Sequence, residues 1–507
     1  MEAMGTTLRF RNLGIIILSV YLLAACSKET SNQYSDSEII ARVGDRIITK
    51  SEFIMRAEYT PRPVYCRNDN YVHKKIVLNS LIAEKLLALD LENNPEYELP
   101  ERFVEYLRGR KEQAMRQLHR FEHGIKLASP STAMLHRGLR NARREYEVAF
   151  FNIPDSSKLL EIESLFTGDS AFSSISARIP GLSEPGQRIV SWFDDDESSI
   201  REALYSQSLT RDTILQAIPL EDGSFMILQV LGWEDKYSLS ETANQTLWND
   251  VVTKIESRMG NKLYETYISN LMRGKSFKFE KETFGLFVND LATAYMLKDA
   301  EKESILNEVI WDMEKKTFSY GELEKDVPYL DQVLFNYEAK SWTVNDLYAL
   351  IARHPLVFRD VRFPMSQFAQ QVRMAVADLL RDESITKDAY SLDYEDRIEI
   401  RTHEQLWKDH YLADVYKRVV YGSSSANELQ NLASIEFIED HMNPLIDSLQ
   451  IKYSNQIFIN FNLFDSVDIT GIDMFATQEG AAYPIMVPSF PQIYTDHVFD
   501  YGAKIEH

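Results

Sequence analysis

Two thiols, ten histidines and one run of adjacent carboxylates are the groups in this 507-residue chain with evident chemical potential. The thiols, Cys26 and Cys66, are too few for a disulfide framework, and Cys66 reads as a structural cysteine. The histidines show neither His-x-His nor His-Glu-x-x-His spacing and do not cluster with cysteine, so no metal site is expected. Asp194-Asp195-Asp196-Glu197 has the donors for a hard cation, but adjacent carboxylates read first as a solvated loop. Phosphate-binding loops, dinucleotide glycine patterns and Gly-x-Ser-x-Gly are all missing from the sequence. No cofactor is expected.

Cys26 is set apart by what precedes it. Arg9 and Arg11 lead into the apolar run Leu13 to Leu23, which is shorter than the ~20 residues that span a bilayer, and Ala24-Ala25-Cys26 follows. A basic start, an apolar core, small residues and then Cys resemble the lipobox of bacterial lipoproteins. That resemblance implies cleavage before Cys26, thioether lipidation of its sulfur and acylation of the new amine. Removing residues 1–25 leaves 507 − 25 = 482 residues, and removing Glu2, Arg9 and Arg11 (net +1) takes the charge from −22 to −23. At ~100–200 residues per domain this is a multidomain chain. Its charge repels nucleic acid and anionic headgroups, so no nucleic-acid partner is expected and membrane attachment rests on the lipid.

Ser27 to Ser37 is polar and suits a flexible tether. Two β-rich runs, Ile39 to Val43 and Arg46 to Ile48, flank Gly44-Asp45 and predict a hairpin. Thr49 with Glu52 three residues on predicts a reciprocally capped helix start. Leu78, Leu81, Ile82, Leu86 and Leu89 then recur at helical spacing, and a further helix is expected from Glu101 to about Ile125. At a fixed offset of 294, Thr49 falls on Thr343, Pro61 on Pro355, Leu78 on Val372, Glu84 on Asp378, Leu86 on Leu380 and Leu118 on Leu412. One offset held over ~75 residues suggests an internal duplication. Glu428 to Tyr453 reads as helix, Ile457 to Phe461 as a strand, and Tyr483 to Ile493, with three prolines, as an extended tail wrapped over the body.

Val43-Gly44-Asp45-Arg46-Ile47-Ile48-Thr49, followed by the helix Leu78 to Leu87, resembles the chaperone module of SurA/PrsA-type periplasmic foldases. From Tyr146 to Val230 the order of strand, helices, Gly168 to Phe172, Ser191-Trp192-Phe193, helix, turn and closing strand resembles a parvulin prolyl isomerase. Parvulins carry a histidine in the first strand and another in the last. Here Phe150 and Phe225-Met226 occupy those places, and 141–236 contains no histidine. No catalytic residue is assigned. Phe150, Trp192, Phe193, Phe225 and Met226 are instead candidates for an apolar peptide groove.

The resemblance implies a predominantly helical α+β fold with one small mixed sheet: a helical foldase body of two related modules and an inserted parvulin-like α/β domain. Expected boundaries are 1–25 signal peptide, 26–37 tether, 38–140 first module, 141–236 degenerate parvulin-like domain, 237–312 helical connection, 313–422 second module and 423–507 C-terminal helix, strand and tail. The implied function is that of a foldase or holdase in the bacterial cell envelope, lipid-anchored and facing the periplasm, with the outer membrane as the expected site. Its partners would be unfolded secreted or outer-membrane polypeptides. An isomerase with an unusual site, or an adaptor in an envelope complex, is the alternative. Cys26→Ser is expected to abolish lipid labelling, leaving an uncleaved precursor or protein released from washed membranes; normal processing and retention would exclude the lipid anchor.

Overall fold

Three small antiparallel sheets punctuate a largely helical chain among the described residues. The computed structural model describes residues 34–35, 37–154, 157–160, 162, 172, 175, 178–179, 182–194, 198–220, 223–295, 328–359, 363–421, 434–471, 474, 476–478, 480–499 and 501. The expected signal peptide with Cys26, the carboxylates Asp195 to Glu197, residues 296–327 and the turn at Gly422 lie outside them. The chain divides into a unit at 123–264 and a body formed by 34–122 with 265–501.

The body opens with β1 (Ile39–Val43) and β2 (Arg46–Thr49), turning at Gly44, whose φ of +60° favours a residue without Cβ. It continues with α1 (Lys50–Glu58), α2 (Tyr71–Glu92) and α3 (Glu101–His123). The 123–264 unit then holds α4 (Thr132–Ala142), β3 (Arg144–Ile153), β4 (Gly186–Ser191), α5 (Ser198–Tyr205), β5 (Ile218–Pro219), β6 (Phe225–Asp235) and most of α6 (Glu241–Leu271). The body resumes with β7 (Phe277–Phe279), α7 (Lys281–Tyr295), β8 (Val333–Tyr337), β9 (Lys340–Thr343), α8 (Val344–Arg353), α9 (Phe368–Ser391) and α10 (Ile398–Tyr421). It ends with α11 (Asn443–Lys452), β10 (Ile457–Ile459), α12 (Phe461–Asp465) and an extended tail.

The sheets run β10-β1-β2, β4-β3-β6-β5 and β7-β8-β9, and every described pairing is antiparallel. The expected single mixed sheet is instead an antiparallel one in the 123–264 unit, and the body's two hairpins, β1-β2 and β8-β9, form further sheets that β10 and β7 extend. Each of these short strands adds to a hairpin from a distant part of the chain, a pairing that local patterning does not encode.

The succession β8, β9, α8, α9, α10 repeats that of β1, β2, α1, α2, α3, and in each sheet the added strand lies on the outer edge of the hairpin's first strand. The long helices exchange partners. Ala88 and Leu91 of α2 pack with Trp407, Leu412 and Val415 of α10, while Ala114, Met115 and Leu118 of α3 pack with Ala389 of α9.

Thr343 forms the full reciprocal cap with Asp346, whereas Thr49 forms half of one. Its Oγ1 accepts from the Glu52 N–H at 3.0 Å, but the Glu52 carboxylate turns inward, 3.0 Å from the Lys85 ammonium. Lys85 also lies 3.3 Å from Asp409, which accepts from Arg46 Nε at 2.8 Å. Beside them the Arg56 guanidinium donates to both oxygens of Glu84, at 2.8 and 2.7 Å, and both residues are fully buried. Glu84 Oε2 is 3.0 Å from His410 Nδ1, and Arg56 also donates to the Ser489 carbonyl at 2.9 Å. Burial pushes the Glu84 carboxyl up, but Arg56 and the hydrogen bonds from His410 and Arg56 outweigh it and hold the group well below the usual carboxylate range. At the offset of 294, Arg56, Glu84 and Lys85 fall on Leu350, Asp378 and Leu379, and Asp378 pairs instead with Arg359 at 2.7 and 2.8 Å.

The tail closes the body. Met486, Val487, Phe490, Ile493 and Tyr494 are buried, and the carbonyls of Tyr483, Ile485 and Tyr494 accept from Gln113, Arg110 and Ser80. Replacing Glu84 by Gln strands a buried guanidinium, and a loss of about 3–5 kcal/mol in unfolding free energy is expected. The Arg56→Met/Glu84→Leu double variant, which removes both charges as the second hairpin does for Arg56 and Lys85, is expected to lose less. Urea unfolding of the three proteins checks the order.

Candidate functional site

β3 and β6 form the centre of the 123–264 unit, and their register decides where the five groove candidates lie. Phe150 stands opposite Leu228, Asn152 opposite Met226, and Ile153 opposite Phe225. Because successive side chains alternate between faces, Phe150 and Met226 share one face and Phe225 lies on the other. The first face packs with Trp192, Phe193, Leu204 and the α6 residues Val251 and Ile255; Phe225 belongs to the second cluster, with Phe151, Phe172 and Ile227. The five residues therefore do not line one groove.

Trp192 and Met226 are buried, while Phe150, Phe193 and Phe225 are half-buried. Trp192 and Phe193 meet edge to face, with ring centroids 5.1 Å apart. Lys254 of α6 donates to the Phe193 carbonyl at 2.7 Å, and Arg258 stacks 4.8 Å from the Trp192 ring. Burial, reinforced by Arg201, pulls the Arg258 pKa down to about 10. These contacts make the Trp192–Phe193 pair a packing element. Phe150 differs: its ring lies across Gly186, its partner on β4, with the Arg188 guanidinium 5.5 Å away. A Cβ built on Gly186 would come within 2.6 Å of Phe150 Cζ. Neither β3 nor β6 contains an imidazole to move a proton or polarise an amide.

A more open apolar site lies in the body. A cavity of about 700 Å³ is lined by Phe277, Lys278 and Phe279 of β7, by Lys281, Phe284, Gly285, Val288 and Asn289 of α7, and by Ala369 and Arg373 of α9. Contact with three successive strand residues places it along the strand's edge, since one face alone would show every second residue. β7 is the terminal strand of its sheet, so among the described residues its outer edge is unpaired. Phe277 meets Phe335 at a tilt and Phe279 meets it edge to face, with centroids 5.4 and 5.5 Å apart, and Phe279 reaches Phe284 at 4.2 Å. Gly285 opens the floor, because a Cβ placed there meets nothing within 4 Å. Within the stretch expected to be a helical connection, the alternation in Ser276-Phe277-Lys278-Phe279 is the signal that marks the strand.

A second cavity, of about 510 Å³, lies by Arg42, Arg46, Lys85 and Arg401. Arg46 and Lys85 there are already neutralised by Asp409, Glu92 and Glu52.

No protein-family model and no curated protein matches the chain. Among solved structures it is similar to the peptidylprolyl isomerase PrsA of Bacillus anthracis, at 10% identity and a TM-score of 0.19, over 38% of this chain and 96% of that one. It is similar to the foldase protein PrsA of Streptococcus pneumoniae at 12% identity and a TM-score of 0.20, over 44% and 91%. It is similar to PrsA of Bacillus subtilis at 12% identity and a TM-score of 0.14, over 46% of this chain and 93% of that one.

The two glycines predict effects of opposite sign. Gly186→Ala drives a methyl into the Phe150 ring and is expected to lower stability by about 1–3 kcal/mol. Gly285→Ala, in the interior of α7 with open space beside it, is expected to raise it by up to about 1 kcal/mol. Paired denaturant titrations give both values.

Proposed function

We propose that the protein is a polypeptide-binding chaperone of the bacterial cell envelope, held to a membrane by lipid on Cys26, whose 123–264 unit does not catalyse prolyl isomerisation. The observation that carries this reading is the cavity beside β7. An unpaired strand edge offers backbone donors and acceptors to any extended chain, and Phe277, Phe279, Phe284 and Val288 offer apolar contact that tolerates many sequences. Lys278, Lys281 and Arg373 on the rim favour segments with flanking acidic residues. Unfolded exported polypeptides, as secreted or outer-membrane clients, meet these requirements. Binding of this kind needs no nucleotide or metal.

The residues of β3 and β6 support the non-catalytic part of this reading. X-Pro rotation must pass a barrier of about 18–20 kcal/mol, and the face around Phe150 and Met226 is made of Leu228, Val148 and Val230 without a proton-transfer group. In this reading the unit serves as a spacer or a second apolar surface, with Phe150 as its contact residue. The recurrence of hairpin, capped helix and two long helices at an offset of 294 is read as duplication of one chaperone module, with the 123–264 unit inserted between the copies.

Refolding assays on the lipid-free chain starting after Cys26 test the reading. The protein is expected to suppress aggregation of an unfolded outer-membrane protein at near-stoichiometric ratio and to leave a proline-limited refolding phase at its uncatalysed rate. Gly285→Trp fills the open floor of the cavity and is expected to abolish the suppression while leaving the unfolding midpoint close to that of the parent. Suppression unaffected by Gly285→Trp would remove the cavity from the mechanism; no suppression across several clients would favour an adaptor role.

A further inference from the structure

A positively charged cavity stands out in a chain with a net charge of −22. It lies in the 123–264 unit, has a volume of about 330 Å³, and is walled by Arg137, Arg140, Arg143 and Arg144 against a single carboxylate, Asp235. Asp235 is committed to Arg144, which stands opposite it in the β3–β6 register and donates two hydrogen bonds of 2.7 Å. Those bonds hold the Asp235 carboxyl below its ordinary range. Arg143 leans over the Tyr237 ring at 5.2 Å, and its buried Nε has no hydrogen-bond partner. Arg137 and Arg140 are exposed and make no ion pair among the described residues. At least two positive charges around the cavity are therefore uncompensated.

Arginines at a helix C-terminus also interact favourably with the helix dipole, which accounts for a basic residue in the last turn of α4. It does not account for a walled cavity. Leu135, Leu139 and Ala142 pack α4 into the core, turning Arg137 and Arg140 outward. Asn141 donates to the Tyr205 carbonyl at 3.2 Å, and the Tyr205 hydroxyl lies 2.8 Å from the carbonyls of Arg144 and Val190, so the opposite wall is fixed. The guanidinium forks are pre-placed for carboxylate oxygens.

We propose that this cavity binds acidic segments of polypeptides, with Arg137 and Arg140 taking successive side-chain carboxylates. Residues at i and i+3 of a helix are about 5–6 Å apart, close to the roughly 6.7 Å between same-face side chains of an extended peptide. The net charge of the chain opposes an extended polyanion such as a nucleic acid, whereas a short acidic stretch fits within one local patch. The site is independent of the apolar cavity beside β7 and does not require the chaperone reading.

Fluorescence anisotropy with a labelled peptide alternating Glu and Ser tests the proposal on the lipid-free chain, and the variants at Arg137 and Arg140 separate binding here from any at the basic rim of the β7 cavity. The peptide is expected to bind, its Gln counterpart to fail, and Arg137→Glu/Arg140→Glu to weaken binding at least roughly tenfold. Lys50→Glu, an exposed position in the body, is expected to leave binding unchanged. Arg140→Gln provides a milder variant, and circular dichroism confirms that both remain folded. Undiminished binding by the charge-reversed protein, or no binding by the parent, overturns the proposal. Displacement by inorganic phosphate at the same concentration as unlabelled peptide overturns it in favour of a small-anion site.

Discussion

The Arg56–Glu84 ion pair is the interaction on which the body depends, because it joins segments that local structure alone would leave apart. Arg56 comes from α1, Glu84 from α2, His410 from α10 and the Ser489 carbonyl from the tail. Burying two charges costs several kcal/mol per ion before their attraction and their hydrogen bonds offset it. The geometry meets that demand: both guanidinium bonds are short, the second carboxylate oxygen has an imidazole neighbour, and the remaining donor capacity of Arg56 goes to a carbonyl. A buried pair so arranged specifies a unique mutual placement of four segments, because most displacements would leave one of the charges unpaired.

The second hairpin is built without such a pair. Leu350 and Leu379 are buried where the first has Arg56 and Lys85, and their neighbours Phe287, Phe335, Val372 and Val376 form an apolar core. The two three-stranded sheets consequently present different surfaces. Around β10 the core takes in Phe464, Phe490, Ile493 and Tyr494, so the tail is part of the packing. Around β7 the aromatic residues remain at the rim of a cavity. The ionic centre is thus paired with a covered surface, and the apolar centre with an open strand edge.

The features legible in the sequence are those fixed by near neighbours. Gly44, the Thr caps and the leucine stripe of α2 each place an element through contacts within a few residues, and the elements occur where those signals stand. The offset of 294 is visible because apolar positions in paired helices are constrained in the same way in both stretches. What patterning could not show was pairing across long separations: β7 with β8, β10 with β1, and Glu52 with Lys85 in place of its own cap. The groove candidates illustrate a different limit. Phe225 and Met226 are adjacent on one strand, so period-two alternation already sends them to opposite faces. Nothing local, by contrast, reveals that Trp192 sits beneath Lys254 and Arg258, more than sixty residues on in the sequence.

The place of β10 also sets an order of events for a chain that emerges N-terminus first. The 123–264 unit draws its strands and helices from one continuous stretch, so its contacts can form as soon as that stretch is available. The body cannot do the same. β1 finds its outer partner only when Ile457 to Ile459 arrives, and Arg56 completes its hydrogen bonds only with Ser489. Long-range closure of this kind is slow and leaves apolar surface waiting. The first hairpin and the helix after it therefore stay incomplete until Ser489, 433 residues beyond Arg56, has been made and brought back to it.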